Sequence, residues 1–387
     1  MNSHDWLDIE LAAIEQAGLR RHLRTVMSAP TGTITLDGRD VVLLGSNNYL
    51  GLSTHPEVVA AAVEATQTFG TGASGSRLIS GNSELYTTLE SNLAKTKGTE
   101  AALVFSSGYA ANTSVVPLLA GEGDLILSDA LNHASIIDGC RLSHASKKIY
   151  QHCDVEHLKT LLSESTGFRR KLIVTDSVFS MDGDIAPLSD IYEVVMEHDA
   201  MLLVDDAHGF GVLGKDGSGT ISHFGLDGKE IIQMGTLSKA VGALGGYIAG
   251  SRTLIALLIN RARGFIFTTG LPPATLAAAN TALDVIRSSP EPRQNLFSHA
   301  KRLKTALLDL GYTLLPSETQ ILPVVFGSPQ RATSVAEALL TEGVFAPAIR
   351  PPAVPAGTSR LRLTVMATHT DAEIRRAIEA FATCAKV

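Results

Sequence analysis

The sequence contains few cysteines, and their positions exclude two common kinds of site. Its 387 residues include only three cysteines, which are widely spaced and odd in number: Cys140, Cys153 and Cys384. They fit neither a disulfide framework nor the ligand spacing of a zinc site. We therefore expect free thiols in a reducing compartment and no bound metal.

Long apolar runs and an excess of positive charge are also missing. The most apolar stretch, residues 240–259, is broken by four glycines and by Arg252, so we predict no membrane span. The N-terminal residues carry early acids and no apolar signal segment, which predicts a cytoplasmic protein. Lys and Arg total 32 against 39 Asp and Glu, for a formal net charge of −7. This balance argues against a nucleic-acid-binding protein.

Several catalytic signatures are absent as well. The chain has no G-x-S-x-G, no H-E-x-x-H and no Walker A sequence, which disfavours a serine hydrolase and a zinc enzyme. A G-x-G-x-x-G pattern does occur at Gly70, Gly72 and Gly75. It follows a predicted helix, whereas a dinucleotide-binding turn follows a strand. We therefore predict a glycine-rich loop there.

Apolar residues make up 45% of the chain, and their distribution indicates an α/β protein. Between residues 101 and 251, short runs rich in Val, Ile and Leu alternate with helical segments. Such runs are typical of strands covered on both faces, and the helices between them predict a mostly parallel sheet. The seven predicted strands are 101–105, 124–129, 147–152, 171–176, 200–206, 230–236 and 245–251.

The segment pattern divides the chain into three regions. Residues 1–45 contain a predicted amphipathic helix over 5–28 and a hairpin that turns at Asp37–Gly38. Residues 46–289 are predicted to form the large α/β domain. Residues 290–387 lose the alternating rhythm and are predicted to form a smaller α+β domain.

Chemically useful residues follow four of the predicted strands. In an open α/β sheet, ligands bind at the carboxyl ends of the strands. A turn at Ser107–Gly108 precedes a predicted helix, whose N-terminus suits a phosphate. His133, Asp205, His208 and Lys239 come shortly after three other strands.

Each of these residues alone is also compatible with a structural role, such as a solvated turn, a capping histidine or a surface lysine. Together they match the needs of pyridoxal 5′-phosphate. Its aldehyde takes a lysine amine, its ring nitrogen takes an acid, and its phosphate takes a helix N-terminus. The combination therefore indicates a pyridoxal-phosphate enzyme.

Nine segments, spread from about Leu19 to the C-terminus, resemble the α-oxoamine synthases, a family of fold type I pyridoxal-phosphate enzymes. They are SNNYLGLSTHP (46–56), GTGASGSRLISGN (70–82), SSGYAAN (106–112), LNHASIIDG (131–139), TDSVFSMDGDIAPL (175–188), VDDAHGFGVLG (204–214), GTLSKAVGALGGY (235–247), FTTGLPPA (267–274) and AIRPPAVPAGTSRLRLTVMATHT (348–370). The resemblance implies a large domain with a mostly parallel seven-stranded sheet, a smaller C-terminal α+β domain and a homodimer.

The resemblance also implies a role for each matching residue. Lys239 would form a Schiff base with the cofactor, Asp205 would pair with the pyridinium nitrogen, and His133 would stack on the ring. These three would be catalytic. The other implied cofactor contacts are Ser107, Gly108, Tyr109, Ser180, His208 and Thr236, with Thr268 and Thr269 reaching the phosphate across a subunit interface. The implied substrate contacts are Arg20, Asn47, His133, Ala353 and Arg360, with Arg360 taking the amino-acid carboxylate.

Within the family, the likeness is greatest to members that condense L-alanine with a pimeloyl thioester in biotin biosynthesis. The acyl group would be carried by coenzyme A or by acyl carrier protein. Three positions depart from the pattern: Ala353 replaces an expected threonine, Tyr86 a frequent histidine and Tyr109 a frequent phenylalanine. A glycine-using synthase, forming 2-amino-3-ketobutyrate or 5-aminolevulinate, is the near alternative. A non-enzymatic α/β nucleotide-binding protein is the distant one.

Overall fold

The computed structural model describes residues 4–385, which divide into two compact units. The larger unit comprises residues 47–180 and 184–293, and the smaller one comprises 1–46, 181–183 and 294–387. The three-region division inferred from the sequence stays a prediction. Within residues 4–385, no helix is both long enough and apolar enough to cross a membrane.

The regular elements are fourteen α-helices and thirteen strands within the described residues. The helices are α1 (Asp5–Gln16), α2 (Pro56–Phe69), α3 (Glu84–Lys97), α4 (Gly108–Leu119), α5 (Ala134–Leu142), α6 (Val155–Ser163), α7 (Leu188–Glu197), α8 (Thr220–His223), α9 (Arg252–Arg261), α10 (Arg263–Ile266), α11 (Pro273–Ser288), α12 (Glu291–Asp309), α13 (Pro329–Thr341) and α14 (Asp371–Cys384). The strands are β1 (Thr33–Leu36), β2 (Arg39–Leu43), β3 (Ala101–Phe105), β4 (Leu125–Asp129), β5 (Ser146–Tyr150), β6 (Lys171–Asp176), β7 (Met201–Asp205), β8 (Ile232–Thr236), β9 (Gly246–Gly250), β10 (Ile321–Gly327), β11 (Val344–Phe345), β12 (Ala348–Ile349) and β13 (Ser359–Thr364).

The larger unit is built on a seven-stranded sheet, as the sequence predicts. Its strand order is β3-β9-β8-β7-β6-β4-β5. Six strands run in one direction, and β9 runs against both of its neighbours, β3 and β8. The apolar runs therefore identified every strand of the sheet, but they did not reveal that β9 is reversed.

Both faces of this sheet are covered by apolar side chains, which is why its strands are almost uniformly hydrophobic. On one face, Leu103 and Val174 belong to a buried cluster with residues of α4, α5 and α9. On the other face, Leu127 and Val204 belong to a second cluster with residues of α6 and α7. Because six strands are parallel, the residues that follow them meet at one edge of the sheet.

The smaller unit contains two three-stranded sheets, in the orders β1-β2-β11 and β10-β13-β12. The predicted hairpin is present, and Asp37 and Gly38 both have positive φ, at 49° and 81°, as a two-residue turn of type I′ requires. The helix predicted over 5–28 is wrong in length, because α1 ends at Gln16. Gly18 has a φ of +66°, a conformation that terminates helices.

Candidate active site

Lys239 lies at the carboxyl edge of the sheet and is the first member of a chain of hydrogen bonds. It follows β8, and its Nζ is 2.8 Å from His208 Nε2. His208 Nδ1 is 2.7 Å from Tyr49 Oη, and Tyr49 donates a 3.0 Å hydrogen bond to Asn47 Oδ1. Tyr49 is fully buried. The structure thus brings together three predicted residues and adds Tyr49, which we did not predict.

The hydrogen bonds of Tyr49 fix the tautomer of His208. The single hydroxyl proton of Tyr49 is donated to Asn47 Oδ1, which has no proton to give. His208 Nδ1 must therefore donate to Tyr49 Oη. In the neutral ring, Nε2 is then the unprotonated nitrogen and faces Lys239 as an acceptor.

Asp205 begins a second chain, which ends at His133. Asn112 Nδ2 donates to Asp205 Oδ2 over 2.8 Å and to Ser135 Oγ over 2.9 Å. Ser135 Oγ lies 2.8 Å from His133 Nδ1, and the backbone N–H of Ser135 donates to the same nitrogen. Asp205, Asn112 and Ser135 are all buried. The side chains of two predicted residues are therefore linked through two others.

His133 consequently adopts the opposite tautomer from His208. Its Nδ1 accepts hydrogen bonds from Ser135, so its proton lies on Nε2. One side of His133 is exposed, but the packing on the other side removes solvent and lowers its pKa. The carboxylate of Asp205 raises this pKa, whereas the amine of Lys239 lowers it. His133 therefore presents a neutral ring with an Nε2–H donor.

Asp176, at the end of β6, is a further buried acid at this edge. Its Oδ2 accepts a 2.6 Å hydrogen bond from the backbone N–H of His133. Burial raises its pKa well above the usual value, and the negative charge of Asp205 adds to this rise. Lys239 acts in the opposite direction. Asp176 thus positions the loop that carries His133.

Asp206 has a different environment from its neighbour Asp205. Its Oδ2 is 2.7 Å from Lys97 Nζ, and both side chains are completely buried. Ser177 and Thr220 donate hydroxyl hydrogen bonds to its Oδ1. This ion pair is compensated within the protein, so Asp206 stabilises the turn after β7.

The start of α4 provides a cradle for an anion. Ser107 caps this helix by accepting a hydrogen bond from Ala110 N–H, and the first-turn amides of Gly108 and Tyr109 lie where helices leave N–H groups without helical acceptors. A Cβ at Gly108 would lie 2.9 Å from Met234 Cε. A Cβ at Gly246 would lie 2.5 Å from Gly108 N. The contact at Gly246 is with backbone, so close packing at the helix start requires this glycine, whereas the flexible end of Met234 could move to make room at Gly108.

Thr236 contributes to this cradle in an indirect way. Its hydroxyl donates to the carbonyl of Gly245 over 2.8 Å and lies 2.7 Å from Ser238 Oγ. Thr236 is buried, whereas Ser238 is exposed. The hydroxyl that faces outward is therefore that of Ser238, which sequence analysis did not single out.

The remaining predicted residues of the larger unit are placed as follows. The hydroxyl of Tyr109 donates to Asp138, and this hydrogen bond raises the pKa of Tyr109 and lowers that of Asp138. Ser180 follows β6 and is half-buried. Thr269 is exposed and pairs with Ser76 through an isolated bridge, and Thr268 precedes it.

Three predicted substrate contacts belong to the smaller unit. Arg360, on β13, is buried, and its Nη1 donates to Asp182 Oδ1 over 2.7 Å and to the carbonyl of Met181. Arg20 is ion-paired with Glu15 over 2.9 Å. Ala353 is exposed in a turn.

The residues at the edge fit pyridoxal 5′-phosphate. An amine at Lys239, a buried carboxylate at Asp205 and the start of α4 at Gly108, packed closely against Gly246, are the groups that its aldehyde, ring nitrogen and phosphate require. Asp205 is linked to His133 through Asn112 and Ser135, and Lys239 follows β8, the strand beside that of Asp205. The donor set therefore suits this cofactor.

Comparison with known proteins gives consistent matches. A family model for class I and II aminotransferases matches residues 39–381. The chain is 51% identical to 8-amino-7-oxononanoate synthase of Geobacter sulfurreducens, over 97% of each chain. It is 48% identical to that of Symbiobacterium thermophilum, over 98% of this chain and 97% of the relative. A solved structure of serine palmitoyltransferase from S. paucimobilis, with a bound PLP–myriocin aldimine, is similar with a TM-score of 0.94 and 34% identity, covering 99% of this chain and 97% of that one.

Proposed function

This chain belongs to the class I and II aminotransferase family and, within it, to the 8-amino-7-oxononanoate synthases, and we propose that it condenses L-alanine with a pimeloyl thioester. It is a fold type I enzyme that uses pyridoxal 5′-phosphate. The products are 8-amino-7-oxononanoate, carbon dioxide and the free thiol of the acyl carrier. The mostly parallel sheet and the identity over nearly the whole chain support this assignment.

Eleven residues would hold the cofactor. Asp205 would accept a hydrogen bond from the ring nitrogen, His133 would cover one face of the ring, and Lys239 would bind the aldehyde carbon. Ser180 and His208 would meet the side of the ring that carries the phenolic oxygen. The phosphate would be held by Ser107, Gly108, Tyr109 and Thr236, together with Thr268 and Thr269 across a subunit interface. When bound, pyridoxal 5′-phosphate supplies an electron sink for the charge that develops at the amino acid's α-carbon.

Lys239 would move the proton of the substrate's α-carbon. Its Nζ contacts His208 Nε2, which is oriented as an acceptor by the hydrogen bonds of Tyr49 and Asn47. An acceptor at this position allows Nζ to present its lone pair to a carbon-bound proton. His208 would therefore set the orientation of the amine that performs the proton transfer.

Asp205 and His133 would control the charge around the reacting carbon. A buried carboxylate favours a protonated ring nitrogen, since an opposite charge stabilises the charged form. His133 presents Nε2–H, which can donate to a carboxylate or carbonyl oxygen of the substrates. The Asn112–Ser135 bridge holds these two groups in a fixed relation.

Arg360 would take the carboxylate of L-alanine. Its Nε donates to the carbonyl of Thr358, and its Nη1 donates to the carbonyl of Met181 and to Asp182, so Nη2 would meet the substrate carboxylate. Asn47, Arg20 and Ala353 would lie on the substrate side, with Arg20 nearer the acyl chain. A homodimer and a cytoplasmic location complete the proposal.

The Lys239–His208 contact, in the same edge as the buried Asp205, is the observation that carries the proposal. The test is a panel of alanine, glycine and serine crossed with pimeloyl, acetyl and palmitoyl thioesters, on both coenzyme A and acyl carrier protein. We expect mass spectrometry to detect 8-amino-7-oxononanoate from alanine and a pimeloyl thioester. Condensation with glycine or serine alone would instead support another branch of the family.

A further inference from the structure

A second cluster of polar side chains lies around His152, in the segment that follows β5. Its Nδ1 is 2.9 Å from Asp129 Oδ1, and its Nε2 is 2.8 Å from Asp184 Oδ2. Cys153 Sγ is 3.7 Å from His152 Nε2 and 3.8 Å from Asp184 Oδ2. None of these four residues is part of the proposed catalytic machinery. All of them lie in the larger unit.

Three atoms of this cluster have the spacing of metal ligands. A tetrahedral Zn²⁺ with bonds of about 2.0 to 2.3 Å separates its ligand atoms by roughly 3.3 to 3.6 Å. The distances between Nε2, Sγ and Asp184 Oδ2 range from 2.8 to 3.8 Å. An ion on the solvent side would require only that the shortest of these distances, between His152 Nε2 and Asp184 Oδ2, become slightly longer. His152 and Asp184 are partly exposed, so an ion can enter.

The other contacts of the cluster also match a metal site. Both oxygens of Asp129 accept backbone hydrogen bonds, from Leu131 and Cys153, so we assign this carboxylate an orienting role. It instead holds the His152 ring from Nδ1, as outer carboxylates do for metal-bound histidines. Asp184 Oδ1 is buried and has no hydrogen-bond partner within residues 4–385. Its other oxygen, Oδ2, faces His152 Nε2 and Cys153 Sγ and is the atom that would bind the ion.

The geometry points to a binding site for a divalent transition metal ion, with Zn²⁺ preferred, formed by His152 Nε2, Cys153 Sγ and Asp184 Oδ2. Nitrogen, sulfur and carboxylate ligands together favour Zn²⁺ over Mg²⁺ or Ca²⁺. The incoming ion replaces two protons, the thiol proton of Cys153 and the Nε2 proton that His152 donates to Asp184. Three protein ligands leave the fourth position to water.

The bound ion would connect two loops that follow different strands of the sheet. His152 and Cys153 come after β5, and Asp184 comes after β6. Phe179 packs edge-to-face on the His152 ring, with the ring centroids 4.3 Å apart, and forms the apolar wall of the site. Metal binding should therefore raise the thermal stability of the enzyme.

The test uses the holoenzyme, first stripped of metal with a chelator and desalted, and then given Zn²⁺ or Co²⁺. We expect one equivalent of the added Zn²⁺ to be retained per chain, and Co²⁺ to give the visible bands of a tetrahedral thiolate site. Cys153 has a φ of +54°, which asparagine tolerates well, so Cys153→Asn removes the thiolate and keeps the backbone. This variant should bind Zn²⁺ about tenfold more weakly or worse, and Asp184→Asn should do the same.

Cys140→Ala is the matched control, because it removes a buried thiol outside the cluster. It should bind Zn²⁺ and Co²⁺ like the parent enzyme. The proposal is overturned if the parent retains no Zn²⁺, or if Cys153→Asn binds as tightly as the parent. The thermal midpoint gives a second measurement, since only chains with an intact site should melt higher when Zn²⁺ is added.

Discussion

Tyr49→Phe is the substitution that tests the chain of hydrogen bonds behind Lys239. It removes one oxygen atom and keeps the buried ring. That oxygen accepts from His208 Nδ1 and donates to Asn47 Oδ1. Without it, the His208 ring is free to move its proton to Nε2, and the nitrogen that faces Lys239 then becomes a donor.

The size of the effect follows from the burial of His208, which is 5% exposed. Leaving a buried donor without its acceptor costs about 1 to 3 kcal/mol. If only the Nδ1–H tautomer supports catalysis, this free energy is added to the activation barrier. We therefore expect kcat to fall by about 5- to 150-fold, since 1.4 kcal/mol corresponds to a tenfold change.

The assay is steady-state condensation of alanine with the pimeloyl thioester. We expect kcat to fall while KM for the thioester stays near the parent value, because Tyr49 is proposed to act through His208. Nitrogen-15 NMR of labelled histidine should report a change of tautomer at one ring. Tyr247→Phe is the matched control, since Tyr247 is also fully buried but its hydroxyl has no hydrogen-bond partner within residues 4–385.

Two results would refute this reasoning. One is a Tyr49→Phe enzyme with the parent kcat and an unchanged histidine spectrum. The other is an equal loss of activity in Tyr247→Phe, because that outcome would attribute the effect to packing in the core. A loss of stability without a loss of kcat would likewise assign Tyr49 a structural role only.

Four further predictions concern catalysis and stability. Lys239→Ala should abolish turnover and borohydride fixation of the cofactor, while circular dichroism shows an intact fold; residual condensation at the parent rate would disprove the role of this amine. Asp205→Asn should lower kcat about a hundredfold or more, with cofactor absorbance reporting whether binding persists. Lys97→Met should reduce the free energy of unfolding by about 3 to 5 kcal/mol, measured with urea, because Asp206 would remain buried and unpaired. Burial lowers the pKa of His369 to about 4, so between about pH 4 and 6.5 this histidine binds a proton more readily in the unfolded chain than in the folded one. The free energy of unfolding should therefore fall by about 3 kcal/mol as the pH drops through this range. His369→Asn should flatten this pH dependence.

The fold was largely predictable because burial on both faces leaves a strong signal in a parallel sheet. All seven strands of the larger unit coincide with the predicted apolar runs to within a few residues. The direction of β9 was not predictable, since a fully buried antiparallel strand has the same composition as a parallel one. The length of α1 was overestimated because the periodic pattern continues past Gly18, where the backbone turns.

The candidate site was only partly predictable, because sequence patterns identify chemical groups but not the groups that orient them. Lys239, Asp205, His208 and His133 were predicted from their places after strands and from the resemblance. Asn112, which joins two of them, was not singled out. Its one signal is a polar residue one turn after Gly108, at a position that the helix buries completely.

The consecutive acids Asp205 and Asp206 show why the surroundings of a residue decide its role. Neighbours at the end of a strand point to opposite sides of the sheet, so identical side chains meet different partners. Asp206 meets the ammonium of Lys97, and its charge is balanced inside the protein. Asp205 accepts hydrogen bonds from the side-chain amide of Asn112 and the backbone amide of Ala207. Amides stabilise a carboxylate without cancelling its charge, so the carboxylate of Asp205 stays available to pair with a protonated ring nitrogen.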